Sequence, residues 1–180
     1  MELSNSILFA IILALFVVER LDEIRSANNN SRILLAQGGR EFGRAHYPVI
    51  VIMHAVFFVC LVIEFILRGA QLVPFFVFPL ALLVAAQLLR FWVRRTMGNR
   101  WTTRVIVVPS ETFITDGPFR FVPHPIYIAV SLELFSLPLI FGLYFTCLLF
   151  SVLNAMMLLL IRIPCERSAM AWSQQQPFAD

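Results

Sequence analysis

The chain has 180 residues, of which 59% are apolar and 14% are charged, against roughly 25% charged in an average soluble domain. A soluble domain of this length has too little interior to hide that much aliphatic and aromatic surface, so lipid must solvate much of it. All 14 strongly basic residues are arginine and the formal net charge is +3, which suits anionic lipid headgroups, whereas no basic patch interleaved with aromatics points to nucleic acid.

In chain order, five stretches are apolar enough to span a bilayer: about Ser4 to Val18 (extending to Leu21), Pro48 to Leu67, Val73 to Val93, Pro125 to Ile140 and Leu143 to Ile161. The first is preceded only by Glu2, without a basic region before it or a small-residue cleavage site after it, so it reads as a retained span and not a signal peptide. Asn28 to Asn30 and Gly38-Gly39 mark a turn-rich linker to the second span. Pro74 and Pro79 are expected to bend the third. Only Phe141 and Gly142 separate the last two, which predicts a tight antiparallel hairpin of spans four and five. The expectation is one all-α integral membrane domain over 1–180, with five transmembrane helices and a folded cytoplasmic loop.

Arginines set the orientation. Arg20, Arg25, Arg32, Arg40 and Arg44 follow the first span, and Arg94, Arg95, Arg100, Arg104 and Arg120 follow the third. The second connector has only Arg68 and the fourth has none, while Arg162 and Arg167 begin the tail. The positive-inside rule then makes the first and third connectors and the C-terminus cytoplasmic and the N-terminus external, a parity that five spans satisfy. The third connector mixes Val105 to Val108 with the turn formers Asp116, Gly117 and Pro118, as a folded loop with short extended pieces does. Cys60, Cys147 and Cys165 are scattered, so neither a disulfide framework nor a metal site is expected.

Two clusters carry candidate chemistry. In Gly117-Pro-Phe-Arg-Phe-Val-Pro-His-Pro-Ile-Tyr127, His124 stands at the cytoplasmic mouth of the fourth span, with Pro125 at a favoured first-turn position. Tyr127, three residues on, points to the same side. The plainer reading is a capping histidine and an interfacial tyrosine. After the fifth span, Arg162 and Glu166 share a helix face around Pro164, which removes a backbone hydrogen bond and is expected to kink the turn. Alone this is an exposed ion pair of little worth. Parity puts both clusters on one membrane face, so His124, Tyr127, Arg162 and Glu166 can converge on one pocket. Deeper polar residues are Glu64, Glu133, His54 and Asn154; Glu64 reads as snorkelling to the interface, and Glu133 as helix-to-helix hydrogen bonding or a substrate contact, away from the His124 pocket.

The run from Gly117 to Tyr127, the hairpin and Arg162-Ile-Pro-Cys-Glu166 together resemble the isoprenylcysteine carboxyl methyltransferase family. Its pattern is a Gly-x-aromatic segment, Arg-His-Pro-x-Tyr, and Arg-x-x-x-Glu after a hairpin. Within it the chain is similar to the bacterial branch found beside type III polyketide synthases, which methylates alkylpyrones. The likeness extends through Glu41-Phe-Gly-Arg-Ala-His-Tyr-Pro, the His54 run ending in Glu64, Ala86-Gln-Leu-Leu-Arg90, Leu132-Glu-Leu and Leu153-Asn-Ala.

The resemblance implies an S-adenosylmethionine-dependent methyltransferase in a bacterial inner membrane, with the cofactor held by residues of about 100–127 and 162–170. His124, Pro125 and Tyr127 would line the cofactor pocket with Phe119, Glu166 would hold a polar group of the cofactor, and Gly117 and Ile114 would give backbone contacts. Arg162 would face the acceptor, making Arg162 and Glu166 the catalytic pair. Pro123 stands where the family carries arginine, and Cys165 where it carries the first acid of a Glu-Glu pair. The implied acceptor is lipid-like: an alkylpyrone or alkylresorcinol hydroxyl first, an isoprenylcysteine carboxylate second. The rival readings are a sterol-type NADPH reductase, which shares features of the C-terminal half, and a non-catalytic membrane scaffold.

Overall fold

A computed structural model describes residues 2–69, 71–109 and 112–175; the chain ends Met1 and Asp180, whose sides the arginine pattern assigns, lie outside these. The elements run α1 (Glu2–Ala36), β1 (Arg40–Phe42), α2 (Tyr47–Arg68), α3 (Val77–Met97), β2 (Val105–Val107), α4 (Pro125–Ile140), α5 (Tyr144–Met157) and α6 (Ile163–Gln174). A 3-10 turn, Gly117–Arg120, leads into α4, and a π-helical turn, Leu158–Arg162, joins α5 to α6 without a break.

Among the described residues, three helical segments are long and apolar enough to cross a membrane: Tyr47–Arg68, Val77–Arg100 and Tyr144–Gln174. Helix α4 is a shorter apolar helix of 16 residues, about 24 Å at 1.5 Å per residue, against a hydrocarbon core of roughly 30 Å. Ile52, Ile66, Leu88 and Leu148 are exposed on the outer faces, as residues solvated by lipid are. The chain is a helical membrane protein.

Aromatic packing gathers one end of the bundle. Phe9 of α1 stacks on Phe65 of α2 at 4.0 Å and meets Phe141, between α4 and α5, edge-on at 5.2 Å. Phe57 of α2 meets Phe150 of α5 at 5.2 Å. Cys147 and Asn154 of α5 reach the Phe135 carbonyl and Ser131 of α4, so the two helices lie alongside each other in opposite directions. Glu64, expected to snorkel, is instead buried, and its carboxylate accepts the backbone N–H groups of Phe145 and Thr146 at 3.2 and 2.8 Å. It thereby satisfies donors that the first turn of α5 leaves without intrahelical partners.

The middle of the bundle holds charge. Arg90 of α3 donates through Nε to Glu133 of α4 at 2.6 Å, donates again to Glu133 through Nη2, and reaches Glu23 of α1 at 3.1 Å. Arg20 donates to Glu23 at 2.5 Å. Removing one partner from such a buried set costs about 3–5 kcal/mol, because the remaining charge is stranded. The network therefore fixes how α1, α3 and α4 stand against one another.

Two local expectations are corrected. The linker expected at Asn28 to Asn30 is helical: α1 continues to Ala36 because its polar residues find partners on the facing loop. Asn30 donates to the Trp101 carbonyl at 2.8 Å, and the Ser31 hydroxyl bonds both the Ala27 carbonyl and the Thr102 hydroxyl. The third helix begins at Val77, after Pro74, and holds Pro79 in its first turn, where the missing N–H breaks nothing. The short extended pieces expected in the third connector are present beside the helices. Strands β1 and β2 pair antiparallel, Glu41 opposite Ile106, and fasten the α1–α2 connector to the α3–α4 connector.

Candidate functional site

His124 occupies the position just before α4, and buried Pro125 starts the helix with a φ suited to its first turn. The 3-10 turn before it is held close to α3. Gly117 has φ +58°, and a Cβ there would stand 2.4 Å from the Thr96 hydroxyl, so no other residue fits without displacement. On the other side, the Leu158–Arg162 π-turn precedes Pro164, in the first turn of α6. Helical structure continues from the π-turn through Pro164 into α6 without a break, with the missing proline N–H falling where the hydrogen-bond spacing changes. Arg162 and Glu166 remain one turn apart on a continuous helix.

The two clusters meet. The Tyr127 hydroxyl donates to Glu166 Oε1 and accepts from Arg162 Nε at 3.1 Å. Arg162 Nε is also 3.4 Å from Glu166, and its Nη2 donates to the Thr103 carbonyl at 2.8 Å. His124 Nδ1 lies 3.2 Å from Glu166 Oε2. The His124 and Tyr127 rings stack, 5.2 Å between centroids and 20° between planes. These four side chains form one wall of a cavity of about 530 Å³ whose other walls come from α1, α2, the 101–107 loop and α5. Phe119 and Pro123 also line it. Ile114 is half-buried away from the lining, while Gly117 and Pro125 set the backbone behind it.

Several residues at the cavity were not singled out in the sequence, although Trp101, Thr103 and Arg104 fall within the segment of about 100–127 expected to hold the cofactor. The Tyr47 and Thr103 hydroxyls bond at 2.9 Å, and Arg104 pairs with Glu41 at 3.2 Å while its guanidinium stands 5.0 Å over the Tyr47 ring. Trp101 Nε1 and Arg104 Nε, both on cavity-lining residues, are buried with no hydrogen-bond partner among the described residues. Only the proximity of Arg100, Trp101 and Arg104 in a loop of mixed character signalled them. Arg20, Glu23 and His54 reach the same cavity from α1 and α2.

The family model for the isoprenylcysteine carboxyl methyltransferase (ICMT) family matches residues 79–172, from α3 through α6. The chain belongs to this family. A Bacillus subtilis protein, "Uncharacterized protein YpbQ", is 35% identical over 163 residues, covering 91% of this chain and 96% of that one. An "Uncharacterized protein" of Haemophilus influenzae is 26% identical over 167 residues, covering 92% and 94%. No solved structure matches the chain. Membership makes it a member of a methyltransferase family, and the matched segment includes every residue of the Tyr127–Glu166 cluster. Two departures from the family pattern can now be located. Pro123, in place of the arginine, is exposed at the cavity rim. Cys165, in place of the first acid, points away toward Gly43, where an added Cβ would stand 2.7 Å from its sulfur.

His46 abuts the same contact and has a buried Nε2 without a hydrogen-bond partner among the described residues. Burial first, and the Arg162 charge second, push its pKa below the ordinary 6.5. The unfolded chain therefore takes up this proton more readily than the folded one. The contribution is complete above about pH 6.5 and is lost as pH falls toward the folded value. Thermal unfolding in detergent between pH 8 and pH 5 should show the midpoint falling faster for wild type than for His46→Asn. Parallel curves would remove His46 as the cause.

Proposed function

We propose that the chain is an S-adenosylmethionine-dependent O-methyltransferase acting on an amphiphile whose head enters the cavity while its tail stays in lipid. The acceptor put first is an alkylpyrone or alkylresorcinol hydroxyl, made by an adjacent type III polyketide synthase pathway. The observation that carries the reading is the cluster of His124, Tyr127, Arg162 and Glu166 on the wall of a cavity largely apolar elsewhere.

The residues present suit the cofactor. Its cationic and hydroxyl-bearing groups need a carboxylate, which Glu166 supplies, and its flat base needs an aromatic wall, which the stacked His124 and Tyr127 rings and Phe119 supply. The buried, unpartnered Trp101 Nε1 and Arg104 Nε are donors suited to its carboxylate. Bound there, the cofactor supplies an electrophilic methyl group on a sulfonium.

The chain's own work is then positioning. Tyr127 and His124 hold the Glu166 carboxylate in one orientation, and Arg162 is held in turn by Tyr127 and the Thr103 carbonyl. Its Nη1, which makes no hydrogen bond among the described residues, is directed to an anionic acceptor oxygen. An enol or a carboxylic acid is already largely ionised near neutral pH, so alignment of the two reactants, not proton removal, supplies most of the acceleration. A prenylated cysteine carboxylate is the second reading, favoured by the description of the family itself.

In this reading five helical segments cross the bilayer, with α4 and α5 as a hairpin and the cavity at the cytoplasmic face. A reporter inserted at Gly69 should then read external; a cytoplasmic signal would overturn the orientation. Within the site, His124→Ala and Glu166→Ala should each weaken S-adenosylmethionine binding about tenfold or more. Arg162→Ala should leave that affinity within about threefold but lower methyl transfer roughly a hundredfold, because one reactant is misplaced. Arg162→Lys should recover only part of the rate, since an ammonium lacks the planar fork. Calorimetry beside labelled-methyl transfer to an alkylpyrone and to a prenylcysteine reads all three. Equal loss of binding and rate in Arg162→Ala would assign Arg162 to the cofactor pocket instead.

A further inference from the structure

The run Glu41-Phe-Gly-Arg-Ala-His-Tyr47 precedes the segment that the family model matches, residues 79–172, yet its residues surround the loop that holds Arg162. Glu41, in β1, pairs with Arg104 at 3.2 Å, just before β2. Gly43 has φ +65°, and a Cβ there would stand 2.0 Å from the His46 ring and 2.7 Å from the Cys165 sulfur. Only glycine therefore lets the connector lie directly against α6. Tyr47, at the start of α2, bonds the Thr103 hydroxyl through its own at 2.9 Å, and the Arg104 guanidinium stands over its ring.

Thr103 connects this frame to the site. Its hydroxyl faces Tyr47, and its backbone carbonyl accepts Arg162 Nη2 at 2.8 Å. Arg162 is buried, and a buried guanidinium beside a carboxylate is drawn to it through two parallel N–H groups. Here the approach is loose. Nε stands 3.4 Å from Glu166 and donates instead to the Tyr127 hydroxyl at 3.1 Å, while Nη2 is spent on the neutral carbonyl of the loop. A planar fork pinned at Nε and Nη2 keeps one orientation, the one that leaves Nη1 without a hydrogen bond among the described residues.

We propose that Tyr47 is a positioning residue for methyl transfer: through the Thr103 hydroxyl it fixes the Thr103 carbonyl, and that carbonyl keeps Arg162 turned from Glu166 toward the acceptor. Without the Tyr47 bond, the bend at Thr103 is free to turn its carbonyl away, and the guanidinium closes on the Glu166 carboxylate beside it. The anionic acceptor then loses its partner although every group that touches the reactants is still present. This rests on the methyltransferase reading above and deepens it, since it adds a residue from the connector between α1 and α2, outside the cofactor cluster. Glu41 and Gly43 serve the same end, by holding the two strands together and the connector against α6.

The test uses the full chain in detergent with isotope-labelled arginine. The Arg162 Nε–H resonance, identified by its loss in Arg162→Lys, then reports on the guanidinium without any acceptor. Calorimetry with S-adenosylmethionine and labelled-methyl transfer to an alkylpyrone and to a prenylcysteine are read beside it. Tyr47→Phe removes one hydroxyl but leaves the ring under Arg104, and Thr103→Val removes the other but leaves the carbonyl. Each should lower methyl transfer about tenfold, keep cofactor affinity within about threefold, and shift the Arg162 resonance. The double variant should be no worse than either single one, because the two hydroxyls make one bond. Thr103→Ser, which keeps the hydroxyl, should stay within about threefold of wild type with the resonance in place. A merely structural Tyr47 lowers the thermal midpoint and leaves rate and resonance unmoved; that result, in an enzyme that methylates either acceptor, overturns the proposal alone. Failure of the wild type to methylate either acceptor overturns the reading on which the proposal rests.

Discussion

The carboxylate of Glu166 is the point on which the site's geometry depends. It receives the Tyr127 hydroxyl, faces His124 Nδ1 and lies beside Arg162. Those contacts tie α6 to the first turn of α4, two segments far apart in the chain. A carboxylate in a low-dielectric setting is stable only when such partners replace water, so the cluster forms as a unit. The π-turn at Leu158–Arg162 and the proline after it serve the same end, since they carry the helix beyond the apolar segment while keeping Arg162 and Glu166 on the cavity side.

Lipid on the outside sets the complementary constraint. Helices with exposed isoleucine and leucine along their outer faces must place polar groups inward, and the cavity collects them. Its two polar walls differ in kind. The Tyr127–Glu166 wall is tied together by mutual hydrogen bonds that leave Arg162 Nη1 without one among the described residues, whereas on the α1–α3 side Arg20 and Arg90 are ion-paired with Glu23 and Glu133. At the other end of the bundle, Glu64 shows how the same constraint acts without a ligand: an ionisable residue buried to satisfy a helix start.

The legible part of this structure was what depends on residues near one another in sequence. The bounds of α4 follow from Pro125 and the apolar run after it, and the three-residue spacing of His124 and Tyr127, like the one-turn spacing of Arg162 and Glu166, put each pair on one face. Their convergence followed from arginine placement. The helical course of Asn28 to Asn30 could not be read, because their weak local preference is overridden by the bonds of Asn30 to Trp101 and of Ser31 to Thr102, more than one helix away. The pairing of Glu133 with Arg90 was hidden for the same reason: an isolated charge in an apolar run announces its cost and not its partner. Ile114 and Gly117 were tied to the cofactor by family pattern alone, and Gly117 turns out to be demanded by its close approach to Thr96.

The central claim is that a single cavity, walled by the start of α4 and by α6, receives the methyl donor. Photo-crosslinking with a light-activated S-adenosylmethionine analogue, followed by peptide mapping of the full-length protein in nanodiscs, addresses it without an acceptor being known. The account predicts labelling confined to peptides containing Phe119 to Tyr127, Trp101 to Arg104 and Arg162 to Met170, suppressed by unlabelled S-adenosylhomocysteine. Suppressible labelling elsewhere, or none at all on folded protein, would contradict it.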